Sequence, residues 1–166
     1  MVTLSIDRIN KAAPYNVEAM EKDGFYQFVT DYGVRYSIGF DLTEGLLSHE
    51  VYQFIITNVN NRKSLRDHKL RDTIMAIIYE FFEANNTVML YICETGDNKQ
   101  SMRSRLFEYW WATSPRKSDF TMVSANIRDA EGVRNYASII LRLDNPDAKD
   151  IVAEFTETVQ LLSQKP

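Results

Sequence analysis

The chain has 166 residues, 19 Lys or Arg against 23 Asp or Glu for a formal net charge of −4, and 45% hydrophobic and 25% charged residues. That is the profile of an ordinary globular domain, long enough to bury roughly 70% of its unfolded surface. It excludes a membrane-spanning helix, which needs roughly 18 to 20 consecutive apolar residues, because the longest runs, Thr73–Phe82 and Thr87–Cys93, are short and separated by Asn85 and Asn86.

Cys93 is the single cysteine, so no intramolecular disulfide forms, and with only His49 and His68 beside it a Cys-rich zinc site is excluded. No metal site and no cofactor is expected. Residues 1–14 show no signal-peptide core, and the expected location is cytoplasmic. Net acidity argues mildly against general nucleic-acid affinity. The one departure in composition is aromatic: nine Tyr, nine Phe and two Trp make 12% of the chain.

Six Gly, four Pro and no repeat or low-complexity linker predict a lead-in over 1–14, ending at Pro14, and a single domain over 15–166. Tyr15–Val17 is read as the start of a strand. Lys22-Asp23-Gly24 is turn chemistry, and Phe25–Val29 is a strand with aromatic residues on both faces. Asp31-Tyr32-Gly33 is a second turn, where Gly33 can take the positive φ of a tight hairpin. Val34, Tyr36, Ile38 and Phe40 alternate with Arg35, Ser37 and Gly39, the pattern of a half-buried strand. Glu50–Asn58 is another, and the consecutive strands predict an antiparallel meander.

From residue 67 the period changes. Leu70, Ile74, Ile77, Ile78 and Phe81 share one helical face. Ser64 or Asp67 can cap the start, and Asn85-Asn86 can end the helix through a left-handed residue. Thr87–Cys93 is then a central strand covered on both faces. Asp97 and Gln100 have the spacing of a capping box for the next helix, with Met102, Leu106, Tyr109 and Trp110 as its apolar stripe, stopping before Pro115. Asp119–Ile127 and Tyr136–Leu143 are strands. The last helix is capped by Asn145, has Pro146 first, and buries Ala148, Ile151, Val152, Phe155, Val159 and Leu162. The order β-β-β(-β)-α-β-α-β-β-α predicts an α+β fold: six or seven mostly antiparallel strands with three helices.

Tyr36–Phe40, the helix from Asp72-Thr73-Ile74 to Phe81-Phe82, and the block Tyr91–Gln100 with Arg103, Arg105, Leu106, Phe107 and Trp110 or Trp111 carry a resemblance. So does the terminal Lys165-Pro166. The chain resembles, from about Tyr15 onward, an uncharacterised family of small bacterial proteins, a domain of unknown function. It departs at Glu94, where the family has Asp, and at Asn98-Lys99, where it has Gly-Arg. The resemblance implies the boundaries and the fold but no mechanism.

Four groups carry the candidate chemistry. Glu94, Asp97, Lys99, Arg103 and Arg105 stand at a strand-to-helix junction, where helix N–H groups favour an anion; the bland reading is a capped helix with solvated or paired cations. Cys93 with His49 or His68 has the residue types of a thiolate pair, although a cysteine ending an apolar run is more often a small buried hydrophobe. Arg62, Lys63, Arg66, Lys69 and Arg71 form a basic segment able to meet phosphates, or simply a solvated loop and first helical turn. Phe107, Tyr109, Trp110 and Trp111 crowd one helix whose single face cannot bury them all, the makings of an interface. The first expectation is therefore a non-enzymatic interaction module that self-associates, as a homodimer, or binds a protein partner. The second is nucleic-acid or nucleotide-phosphate binding through the basic surface. The third is a hydrolase using the Cys93–Asp97 junction.

Overall fold

A computed structural model describes residues 3–63, 66–93, 100–128, 131–132 and 134–164. In chain order the elements are α1 (Ile6–Ala12), β1 (Glu18–Ala19), β2 (Phe25–Val29), β3 (Arg35–Thr43), β4 (Val51–Asn58), α2 (His68–Ala84), β5 (Val88–Cys93) and α3 (Gln100–Ala112). A 3-10 turn (Lys117–Asp119), β6 (Phe120–Arg128), β7 (Arg134–Arg142) and α4 (Ala148–Gln164) complete it. The strand order is β1-β2-β3-β4-β5-β7-β6. The fold is mixed α+β as expected, with four α-helices rather than three.

The extra helix lies in the expected lead-in. Ser5 caps α1 by accepting the Arg8 N–H. Seven residues are too few for a stable isolated helix, and tertiary contacts hold this one: Ile9 is buried and α1 packs on α2. The Asn10 amide then acts as a strand partner, accepting the Val17 N–H at 2.8 Å and donating to the Val17 carbonyl at 3.0 Å.

Two compact units divide the chain. The first is Met1–Asp41 with Phe54–Asn86; the second is Leu42–Gln53 with Thr87–Pro166.

In the first unit β1, β2 and β3 form an antiparallel run, with Tyr26 opposite Ile38 and Phe25 opposite Gly39. The turn at Gly33 has φ +75°, as its sequence predicted. Gly39 is required by a neighbour, because a β-carbon there would lie 2.1 Å from Cε1 of Phe25. The Phe25 ring thus lies over bare backbone, and the Lys22 ammonium sits 4.3 Å from its centroid. The expected face of α2 is buried at Ile74, Ile77, Ile78 and Phe81. Burial extends further round the helix, to Thr73, Met75, Ala76, Glu80 and Phe82. The Phe81 ring stacks on Phe40 at 4.3 Å, and Tyr15, Phe28 and Tyr36 stack in series. The sheet aromatics are core, consistent with their strand propensity.

Asp67 caps α2, accepting the Lys69 N–H at 2.9 Å. Asn85 ends the helix differently from the expected left-handed cap. Its backbone is extended, with φ −141°, and its N–H and side-chain amide both donate to the Phe81 carbonyl. The side chain does the capping, so no unusual φ is needed.

In the second unit β7 pairs antiparallel with both β5 and β6. Alternation sends Val88, Leu90, Ala137, Ile139 and Leu141 into a core with Ile151 and Phe155 of α4. Met89 and Ile140, opposite each other in register and also fully buried, lie on the other face. The start of β5 is thus covered on both faces, as its continuous apolar run implied. Asn145 accepts the Asp147 N–H through its side chain at 2.9 Å, and α4 runs from Ala148, two residues after Pro146.

Candidate interaction surface

Helix α3 packs on β5 and β7. Its inner face is Phe107 and Trp111, four residues apart and therefore on one side of the helix. They are 3% and 4% exposed. Phe107 stacks on Tyr91 of β5, centroids 4.0 Å apart, and Trp111 meets the Phe120 ring edge-on at 5.1 Å.

This corrects the expected apolar stripe. Leu106 is 50% exposed and Tyr109 57% exposed, while Trp110 is half-buried. Hydropathy alone could not choose between the two faces, because both are apolar. The sheet chooses: the Tyr91 and Phe120 rings match Phe107 and Trp111 in shape and flatness. What remains outside is Leu106 with Tyr109 and part of Trp110, at spacings of three and four residues on one outer face.

The basic segment divides into two groups. Lys69 is bound at 2.9 Å to Asp31, and Arg71 pairs with Asp72. The Lys69 ammonium has its pKa raised by the hydrogen bond it donates to Asp31 and by that residue's charge. Arg62, Lys63 and Arg66 are exposed and have no ion pair among the described residues. Beside them, Tyr15 donates to Asp67 at 2.6 Å, and burial first, then this bond, pushes the Tyr15 hydroxyl up to about 12. Asp67 is thus held by Tyr15, just past the lead-in, as well as by its own helix.

Glu94, Asp97 and Lys99 lie outside the described residues, as does Ser64. Arg103 and Arg105 lie on α3. Cys93 ends β5 opposite Tyr136. His68 is exposed in the first turn of α2, and His49 is engaged elsewhere, its Nδ1 3.3 Å from Ser48 Oγ and its Nε2 3.6 Å from Asp147.

That last group was not foreseen, because its members are distant in sequence. Ser48 donates its hydroxyl to Glu154 of α4 at 2.7 Å, and its backbone N–H goes to the same carboxylate. These two bonds hold the Glu154 pKa down. Serine, histidine and aspartate meet here, but the serine proton is committed to Glu154 rather than aimed at the imidazole. A nucleophilic serine needs the reverse, so the cluster ties the 44–50 loop to α4. Among the described residues no group of three or more His, Cys, Asp or Glu side chains could hold a metal, and no helix is long and apolar enough to cross a membrane.

A mixed α+β chain with an outward aromatic helix face defines no enzyme class by itself. Residues 66–157, more than half of the chain, match the model of a family of unknown function, DUF6169, and the chain belongs to that family. The match runs from the N-cap region of α2 into α4 and includes the block from Tyr91 to Trp111. No curated protein and no solved structure matches the chain.

Proposed function

We propose that the protein is a non-enzymatic interaction module of a reducing compartment, and that the outer face of α3 receives a protein partner. The observation that carries this is the exposure of Leu106 and Tyr109 while Phe107 and Trp111 anchor the helix from inside. An exposed Tyr beside a half-buried Trp supplies amphipathic contact area of the kind that interfaces favour, and the anchored inner face keeps it preorganised at little entropic cost.

A photo-crosslinking amino acid at position 109 of the intact chain tests this in the native cell. One defined partner protein should be captured, and Leu106→Ser should abolish the adduct. An absence of adducts, or adducts that survive the second substitution, would sink the reading. Tyr109→Ser itself should change stability by less than about 0.5 kcal/mol, as at an ordinary surface position.

Phosphate or nucleic-acid binding is the second reading, favoured by Arg62, Lys63 and Arg66, which have no ion pair among the described residues. Five cations reduce here to three, and the salt slope of any oligonucleotide binding should be correspondingly shallow. A labelled oligonucleotide that stays free at low salt removes it.

A further inference from the structure

The turn between β2 and β3 carries an aromatic ring that the fold does not use. Thr30 is buried, and its hydroxyl accepts the N–H groups of Tyr32 and Val34, each at 3.2 Å. The tip is thereby fixed, and the Tyr32 side chain is 50% exposed on it. Among the described residues this ring stacks on no other, and its hydroxyl makes no hydrogen bond.

The segment after β4 is fastened to the same turn by amides. Asn60 donates to the Gly33 carbonyl at 2.9 Å and accepts the Arg35 N–H at 3.1 Å. Asn58 donates to the Arg62 carbonyl at 2.8 Å. The Arg62 guanidinium lies against bare backbone, since a β-carbon on Gly33 would sit 2.8 Å from its Nη1. Neutral groups therefore place this arginine, and it has no ion pair among the described residues. The same is true of Arg35, exposed on β3 and in register with exposed Val29.

The carboxylates close by are engaged. Asp31 holds the Lys69 ammonium at 2.9 Å, and Asp67 accepts from the Tyr15 hydroxyl and the Lys69 N–H. Residues 51–66 contain no Asp or Glu, and residues 24–40 contain only Asp31. This end of the first unit thus combines cations with an unstacked ring. Arginine grips a phosphate with paired N–H groups, and an exposed ring takes the face of a base. A single strand offers both at each nucleotide. A duplex hides the base faces, and an acidic peptide leaves the ring without a partner.

We infer that the Tyr32–Arg62 surface binds single-stranded nucleic acid, with Tyr32 stacked on a base and Arg62 and Arg35 on the phosphates beside it. This rests on the phosphate reading above and gives it a ligand. It is a different surface from the α3 face.

The test is fluorescence anisotropy of the full chain with labelled, unstructured RNA and DNA strands of one sequence at low salt. A single strand should bind, the tighter of the two naming the source of the ligand, and the matching duplex should bind more weakly. Tyr32→Ala should weaken single-strand binding about tenfold or more, while Tyr32→Phe should keep it, since the ring is what stacks. Arg62→Ala should weaken binding and flatten the slope of log affinity against log salt by about 0.7, one phosphate contact. Both side chains are exposed, so these variants should fold, and an unchanged thermal melt checks it. Tyr109→Ser should leave binding unchanged. A duplex bound as tightly as the strand overturns the inference and leaves the phosphate reading standing. Tyr32→Ala or Arg62→Ala binding unchanged, or Tyr32→Phe as weak as Tyr32→Ala, does the same. Polyglutamate bound as tightly as the strands overturns it in favour of an acidic peptide. If no strand binds, the phosphate reading falls and the inference with it.

Discussion

The two units answer the same problem, burying a sheet, with different materials. The first uses rings: Phe40 on Phe81, and Tyr15, Phe28 and Tyr36 in series. Among the described residues each unit buries three polar side chains, Thr30, Thr73 and Glu80 in the first and Ser114, Ser138 and Asn145 in the second, but the carboxylate is in the first. The second uses mostly aliphatic side chains under α4, with Phe155 of that helix among them, and sets Phe107 and Trp111 of α3 against Tyr91 and Phe120. Aliphatic packing asks only for volume and shape. The first unit additionally encloses a carboxylate, and that carboxylate is only partly satisfied. Glu80 has a side chain 4% exposed, a single 3.4 Å contact with the mostly exposed Arg8, and a second oxygen, Oε2, buried without a hydrogen bond.

The largest expected effects test whether this difference makes two cooperative blocks. Phe81→Ala should cost about 3–5 kcal/mol and Ile139→Ala about 2–5 kcal/mol, by loss of burial and creation of a cavity. Hydrogen exchange on each variant decides the matter. Protection should fall chiefly in the first unit for Phe81→Ala and chiefly in the second for Ile139→Ala. Uniform loss in both variants would erase the distinction.

Glu80→Met should raise stability, by about 1–3 kcal/mol, because it removes an incompletely satisfied buried carboxylate at similar volume. A fall in the denaturation midpoint would show that the carboxylate is better held than its geometry indicates. Asp67→Ala should cost about 1–2 kcal/mol, since it removes the cap of α2 and the acceptor of Tyr15 together; thermal melts beside Tyr15→Phe separate the two parts.

The smallest effects are in pH. Tyr15 has a folded pKa of about 12 against an ordinary 10.0. Its contribution is therefore complete below pH 10 and is lost as pH rises toward 12. Glu154 is shifted the other way: the support it gains from Ser48 is present above the ordinary 4.5 and is lost as pH falls through the lowered folded value. Site-resolved exchange should show residues 15–17 and the start of α2 loosening in alkali, and the 44–50 loop loosening in acid. Acid loosening that persists unchanged in Ser48→Ala would separate Glu154 from the effect.

The sequence revealed most where one local signal had no competitor. Alternation placed β3, the Asp67 cap and the spacing of Ile74, Ile77, Ile78 and Phe81 placed α2, and Asn145 marked the approach to α4. It failed where tertiary contact decides. Nothing local in 1–14 shows that Ile9 will be buried by α2, so α1 reads as irregular. On α3 the rings that turn inward are selected by Tyr91 and Phe120, distant in sequence. The division of the basic segment into two paired cations and three without an ion pair among the described residues also escapes its own pattern: Asp31, thirty-eight residues before Lys69, is invisible within that segment. In the same way Ser48 and Glu154, 106 residues apart, carry no shared local signature.

The ring of Phe25 lying over Gly39 links two positions that no motif joins. Substituting Gly39 alone demands space that the ring already occupies, while trimming Phe25 alone leaves bare backbone and takes the ring from under the Lys22 ammonium. In relatives that align over the first unit, neither position is therefore free to drift by itself. Chains that keep an aromatic residue at 25 should keep glycine at 39, and chains that acquire a side chain at 39 should have given up the ring, so that the pair changes together or not at all.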